Sequence, residues 1–154
     1  MSGLDAASVL AALKTVFEAT GCFDGVAMSQ GVVGPSTGMS AQIWAVPPFK
    51  LVKERSGLAD VSVLLTFNAR MLTPIGTPPA DDLDLTLLAA WSAVMNSLVG
   101  GFTLNGEVEQ LDLLGSYSSG LESPPGYVEI AGTMYRCITM TLPLVLDSVW
   151  TEVP

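Results

Sequence analysis

The last third of the chain holds the feature that most restricts its fold. The segment GYVEIAGTMYRCITMTLPLVLD, residues 126–147, contains two extended runs that flank the turn Ala131-Gly132-Thr133. Side chains alternate along a strand, and the pattern predicts a closing hairpin with strands around 126–131 and 134–146. The longer strand would be strongly apolar on one face, which carries Met134, Arg136, Ile138, Met140, Leu142, Leu144 and Leu146.

Three earlier segments also predict strands. Residues 60–72, DVSVLLTFNARML, alternate between an apolar face and a polar face on which Leu64 is the exception, which predicts a long central strand. The segment SAQIWAVPPF predicts a strand that stops at Pro47 and Pro48, because proline cannot donate to a central ladder. A shorter strand is predicted around residues 107–114.

Helical spacing of apolar residues occurs twice. Residues 4–20 carry one apolar stripe, and Gly21 follows where the end of a helix favours positive φ. A second helix is predicted to begin at Asp81 and to end at Gly100-Gly101. Its predicted buried stripe consists of Leu85, Leu88, Trp91, Met95 and Leu98.

The order of elements predicts an α+β fold in a single domain, residues 1–154. We expect a mostly antiparallel or mixed β-sheet with the two main helices packed on one face. A glycine-rich mobile loop is predicted at about 24–40 and a proline-rich turn at about 73–80.

The chain is poor in charge and rich in apolar residues. Charged residues make up 14%, hydrophobic residues 49%, and mean hydropathy is +0.50. The apolar surplus is therefore covered either by a membrane or by partner subunits. The most hydrophobic segment, residues 85–99, is shorter than the about 20 residues that a membrane-spanning helix needs. The first residues also lack the pattern of an apolar signal segment. We expect a protein of the cytosol at synthesis, with no membrane partner, that forms an oligomer or part of an assembly.

Net charge and residue types exclude several functions. A net charge of −9 argues against tight nucleic-acid binding but is compatible with an acidic wall along which DNA slides. The chain has no histidine, which removes histidine-based nucleophilic catalysis, and its two cysteines, Cys22 and Cys137, are predicted to be thiols rather than a disulfide.

Weak candidates for chemistry remain. The loop sequence GVVGPSTG lacks the lysine of a phosphate-binding loop, and Asp81, Asp82 and Asp84 are better explained as caps of the second helix than as a cation site. We therefore predict no enzyme activity, no cofactor and no metal.

We select candidate interface residues by their place in the predicted strands and loop, because no sequence motif marks an interface. Trp44 lies in a strand beside the loop and is equally compatible with core and interface, while Trp91 is assigned to the core and Trp150 to packing of the tail. Arg70 and Arg136 lie in the middle of strands, where an arginine needs a partner. Either each forms a local ion pair or each contacts a neighbouring subunit. Four loop residues complete the candidate interface: Gly31, Gly34, Pro35 and Gly38.

The sequence resembles a known family in several stretches. These are ASVLAALKTVFEATGCFDGVAMSQG, the stretch from VSVLLTFNARM to LNGEVEQLDLLG with Pro74 and Asp81 before the second helix, and the Gly126-Tyr127 hairpin with Tyr135-Arg136. They resemble the tail terminator proteins of long-tailed double-stranded DNA bacteriophages. No residue of the first loop is carried over from the family.

The resemblance implies a structural virion protein at the head-proximal end of the tail, assembled in the host cytoplasm. It implies a ring, commonly of six copies, that stops polymerisation of the tail tube and offers a surface to the head–tail connector. Expected partners are other copies, the tail tube protein, the connector or completion protein, and double-stranded DNA that passes without specific binding. Long outer strands could add to a neighbour's sheet.

Two alternatives stay open. The chain could be another neck, head-completion or tail-tube component. It could also be a small α+β enzyme or ligand-binding domain.

Overall fold

The computed structural model describes residues 4–31, 38–53, 56–57, 60–75, 82–101, 103–104, 106–118 and 120–151. Two helices and six strands occur in these ranges. In chain order they are α1 (Ala6–Ala19), β1 (Gly25–Ala27), β2 (Ser40–Leu51), β3 (Asp60–Pro74), α2 (Leu83–Gly100), β4 (Gln110–Leu111), β5 (Pro125–Ile130) and β6 (Thr133–Thr151).

The strands form one mixed sheet in the order β1-β2-β3-β6-β4, and β5 also pairs with β6. β1 runs parallel to β2, and every other pair is antiparallel. The central pair is β3 and β6, which pair from Asp60 opposite Thr151 to Pro74 opposite Tyr135, with one shift of register between Val61 and Val63. This arrangement confirms the predicted α+β class.

The closing strand lies in the interior of the sheet. β6 has β3 along one side, and β5 and β4 along the other. Between those two short strands, Thr141 donates its N–H to the Glu122 carbonyl, and the Asp112 N–H donates to Pro143. The apolar length of β6 is explained by its central position, where both of its faces are covered.

Both helices pack on the same face of the sheet, as predicted. α1 buries Val9, Leu13 and Phe17, and α2 buries Leu87, Ala90, Val94 and Leu98. These side chains form one core cluster with the predicted inner face of β3, from Val63 to Met71. Asp5 caps α1 by accepting a hydrogen bond from the Ser8 N–H at 3.1 Å, and Gly21 has the expected positive φ of 70°.

The predicted buried stripe of α2 is largely wrong. Leu85 and Leu88 are 64% and 50% exposed, Trp91 and Met95 are half-buried, and Leu98 alone is fully buried as predicted. The helix is apolar almost all round, so periodicity did not distinguish its two sides. The side with the small Ala90 lies against the sheet instead, where a short side chain permits close approach.

The start of α2 also differs from the prediction. Asp82 occupies the N-cap position, but its side chain makes no capping hydrogen bond. Asp84, in the first turn, forms an ion pair with Arg136. Asp81 lies outside the described residues.

The prediction that β2 stops at Pro47 and Pro48 is wrong. It runs to Leu51, and its register against β3 shifts between Val46 and Lys50, where four residue steps on β2 face two on β3. The prolines lie inside this irregularity, on a strand whose outer side is paired by β1 at Ser40–Gln42 among the described residues. An edge strand tolerates proline because no neighbour needs its N–H.

The remaining corrections concern the end of the chain. The strand predicted at 107–114 is reduced to Gln110–Leu111, and β6 extends beyond residue 146 to Thr151. Trp150 therefore belongs to β6, opposite Val61, and is 43% exposed rather than anchoring a tail.

The outer face of the sheet, opposite the helices, is covered by the segment after β4. Its Asp112 is 2% exposed and accepts hydrogen bonds from the Ser116 N–H at 2.6 Å, the Tyr117 N–H at 2.9 Å and the Ser118 hydroxyl at 2.7 Å. Tyr117 in turn packs against the small cluster of Val52, Leu64 and Val145. Asp112 thus holds the covering segment in place.

We expect Asp112→Ala to destabilise the protein by about 2–3 kcal/mol, because three donors would lose their acceptor. Burial raises the pKa of Asp112, but its hydrogen bonds outweigh that effect and hold the pKa below the ordinary value of 3.8. A carboxyl whose pKa is lowered by folding contributes stability above its ordinary pKa, and this contribution is lost as pH falls through the folded value. Urea unfolding at pH 7 and near pH 2 measures both effects.

The difference between wild type and Asp112→Ala should therefore shrink in acid. Glu107→Gln, at an exposed acid just before β4, is the control and should leave the unfolding free energy within about 0.5 kcal/mol. A variant as stable as wild type at pH 7 would contradict the role given to Asp112.

Candidate assembly surfaces

Arg70 and Trp44 meet on the outer face of the sheet. The register places Gln42 opposite Arg70 and Trp44 opposite Asn68, so all four side chains share this face. The Arg70 Nη2 donates to Gln42 Oε1 at 2.8 Å, and its Cζ lies 5.1 Å from the centroid of the Trp44 ring. The structure thus joins two residues that the sequence analysis proposed separately as interface candidates.

Arg70 is a buried cation with a neutral partner. It is 8% exposed, and its Nε has no hydrogen-bond partner among the residues that the structure describes. Burial lowers the pKa of Arg70, against a smaller opposing effect of Cys137. Among the described residues no carboxylate pairs with it, so the local ion pair considered from sequence is absent within those ranges. A subunit contact through Arg70 stays a prediction.

Arg136 forms the local ion pair. Its Nε lies 2.8 Å from Asp84 Oδ1, its Nη1 donates to the Gly126 carbonyl at 3.2 Å, and its Cζ is 4.6 Å from the Tyr127 ring centroid. The hydrogen bond between the two groups lowers the pKa of Asp84 and raises that of Arg136. Arg136 therefore ties the start of α2 to β6 and β5, on the helix side of the sheet and away from Arg70.

The four loop candidates divide into two groups. Gly34 and Pro35 lie outside the described residues, and Gly31 is half-buried outside any helix or strand. Gly38 has a positive φ of 73°, and a Cβ there would overlap the Asp24 carboxylate. Its carbonyl accepts a hydrogen bond from the Thr73 hydroxyl at 2.9 Å, so Gly38 is fixed at the entrance to β2.

The structure reveals an apolar groove that the sequence analysis missed. It has a volume of about 560 Å³ and lies between the start of α1, the second half of β2 and the end of β6. We call it the α1–β2 groove, and its lining includes Leu4, Leu10, Met28, Trp44, Phe49 and Trp150. Phe49 is 58% exposed and follows the two prolines at which the sequence predicts the end of the strand. Trp44 is half-buried at the side of the groove.

A second apolar surface lies on α2. Leu85, Leu88 and Val99 are spaced by three and eleven residues, which places them on one side of a helix, and all three are exposed. We call this side the outer α2 face. Four of the 18 residues of α2 are buried. Among the described residues, α2 is the one helix whose length and composition would permit it to cross a membrane.

Metal-ligating side chains are not clustered in the described part of the chain. Those residues contain no cluster of three or more Cys, Asp or Glu side chains placed to hold a metal ion. Cys22 is exposed and Cys137 buried, and both are free thiols, as predicted. Burial raises the pKa of the Cys137 thiol, which makes it a weaker nucleophile.

Comparisons of the sequence with known proteins identify no relative. No protein-family model matches the chain, and no curated protein matches it.

The Arg70–Gln42 contact gives a test of what Arg70 does for stability. Arg70→Met should cost about 1–2 kcal/mol, because the Gln42 amide oxygen loses its donor. Adding Gln42→Leu should restore wild-type stability or exceed it, since a buried polar pair is then replaced by apolar groups. The stacking on Trp44 is lost in both variants, so the comparison isolates the polar contact.

Urea unfolding of the two variants, with the exposed Lys53→Met as control, measures this effect. A double variant no more stable than Arg70→Met would show that Arg70 stabilises the fold by other contacts.

Proposed function

We propose that this chain is a tail terminator of a long-tailed double-stranded DNA bacteriophage. In this role it forms a ring, of six copies as the resemblance implies, on the head-proximal end of the tail tube. The ring stops tube polymerisation and presents the surface to which the head–tail connector binds. The protein is structural, with no enzyme activity, and assembles in the host cytoplasm without a membrane.

The observation that carries this proposal is the presence of two uncovered apolar surfaces on one small chain. The α1–β2 groove and the outer α2 face involve different elements. Large exposed apolar patches on a folded protein mark sites of interaction. Two different patches favour a heterologous contact, in which one surface of a copy meets another surface of the next, and such contacts close into rings.

The net negative charge of the chain is consistent with a ring through which DNA passes. With 15 acidic and 6 basic residues, a ring of copies is acidic and repels the phosphates of DNA that passes through it. The physical argument by itself supports a subunit that forms rings. The more specific proposal of a tail terminator comes from the resemblance in the closing hairpin and in the LNGEVEQLDLLG stretch. Other neck or tail-tube components share that physical argument.

A ligand-binding domain is the second candidate, and the groove favours it. Its volume of about 560 Å³ lies within the range of small-molecule pockets, and its lining is almost wholly apolar. Such a protein would be a monomer that binds an apolar compound. The oligomeric state therefore separates the two candidates.

Purified protein should form rings with a mass of roughly six 16.1 kDa chains, measured by light scattering and seen by negative-stain electron microscopy. Added to phage tails assembled without a terminator, it should bind at one end and halt further growth of the tube. Tails that already carry a terminator are the matched control and should bind none. A monomer at tens of micromolar that also ignores open tails would refute the proposal.

A further inference from the structure

We propose that a polar pocket on the outer face of the sheet binds the phosphate group of a small molecule. The pocket lies between the end of β2 and the segment that follows β4, and its volume is about 420 Å³. Its lining includes Lys50, Lys53 and the loop 115–118, and we call it the lysine pocket. The pocket belongs to one copy of the chain, so this inference goes beyond the proposed ring and does not depend on it.

The pairing of β2 with β3 places Lys50 on the outer face. Lys50 lies opposite Leu64, so the two side chains share one face of the sheet. Leu64 belongs to the small outer cluster against which Tyr117 packs. Tyr117 therefore joins the loop 115–118 to the end of β2. The two walls of the lysine pocket are held together before any ligand binds, which lowers the entropic cost of binding.

The lysine pocket concentrates positive charge in an acidic chain. Lys50 and Lys53 are both exposed and are two of six basic residues beside 15 acidic ones. Within the described ranges neither lysine pairs with a carboxylate, and no acid lines the pocket. Asp112, which holds the loop, is 2% exposed and already accepts three hydrogen bonds from its own segment. A bound anion would therefore offset the repulsion between the two ammonium groups.

The loop adds a hydroxyl donor that the fold itself does not use. The Ser118 hydroxyl donates to Asp112 at 2.7 Å and accepts from the Gly120 N–H at 3.0 Å, so it is occupied in holding the loop. The Ser116 N–H also donates to Asp112. The hydroxyl of Ser116, in contrast, has no hydrogen-bond partner in the described part of the chain, and the residue is exposed. It is therefore available to an anion in the lysine pocket.

These donors fit a terminal phosphate group better than other anions. A phosphate monoester carries a charge of about −1.5 to −2 at pH 7 and three acceptor oxygens, which matches two ammonium groups and one hydroxyl. A carboxylate brings a single charge and two oxygens. Lysine binds phosphate as a point charge and needs no planar partner. The volume of about 420 Å³ lies within the range of small-molecule sites, so the pocket has room for more than the phosphate itself.

The backbone of DNA offers the same chemical group from another source. Each of its phosphates is a diester with one negative charge, and the net charge of −9 on each chain repels the polymer. A small phosphate compound is therefore the occupant that the charge of the chain favours.

The decisive experiment is an NMR titration of the isotope-labelled protein with inorganic phosphate at constant ionic strength, at about pH 7.5, where phosphate is mainly the dianion. The amide signals of the loop 115–118 should shift and saturate. Lys50→Gln and Lys53→Gln should each weaken binding roughly three- to fivefold, and Ser116→Ala about twofold. All three side chains are exposed, so folding is retained and circular dichroism checks it.

Lys14→Gln is the matched control, because it removes the same charge from α1, on the helix side of the sheet, and should leave phosphate binding unchanged. Two further ligands test the choice of anion and its source. Acetate should bind at least fivefold more weakly than phosphate. A short DNA duplex should not compete with phosphate for the lysine pocket. A duplex that does compete, and that Lys50→Gln releases, would retain the phosphate chemistry and identify DNA as its source.

Three outcomes would overturn the inference. The first is a loop whose amide signals do not move at tens of millimolar phosphate. The second is an equal loss of binding in Lys14→Gln and Lys50→Gln, which would show diffuse attraction rather than a site. The third is acetate that binds as strongly as phosphate, which would mean that the pocket accepts any carboxylate. Rings that cap tails without binding phosphate would retain the proposed function alone, and a monomer that binds phosphate at this pocket would retain this inference alone.

Discussion

The long antiparallel pairing of β3 with β6 is the interaction on which the rest of the structure depends. It spans from Asp60 opposite Thr151 to Pro74 opposite Tyr135 and supplies the floor for both helices on one face. On the other face it supports the covering segment that Asp112 holds. Because both strands are covered on both faces, their apolar composition is accounted for inside one copy. The exposed apolar surface lies at the periphery, on α2 and along the second half of β2.

That division between centre and periphery explains which features could be predicted from sequence. The alternation in residues 60–72 predicted β3 and its inner face correctly, because strand periodicity reports a face that is buried by the helices. The same method failed for α2, whose two sides are both apolar, so that Leu85 and Leu88 were assigned to the core although they are exposed. It also could not give the position of β6 in the sheet, since an apolar strand has the same sequence at the centre of a sheet as at an edge.

The candidate site was less predictable than the fold, because it depends on contacts between distant segments. Arg70 and Arg136 looked equivalent as mid-strand arginines, yet one stacks on Trp44 with a neutral amide partner and the other pairs with Asp84. The α1–β2 groove has no local signal at all. Leu4, Phe49 and Trp150 come from three parts of the chain, and β3 and β6 must pair before they meet. Because Pro47 and Pro48 were expected to end β2, the sequence did not predict the extension of the strand that carries Phe49.

The sparse charge of the chain bears on how copies of it could meet. Each copy carries a net charge of −9, so two copies repel at long range, but salt limits that repulsion to about 8 Å at physiological ionic strength. Contact must then come from surfaces where acids are few. The α1–β2 groove is lined by apolar residues, and on the outer α2 face the acids lie before Leu85. Repulsion between acidic surfaces elsewhere would disfavour contact there, so in the proposed ring the net charge would restrict the orientations in which two copies can meet.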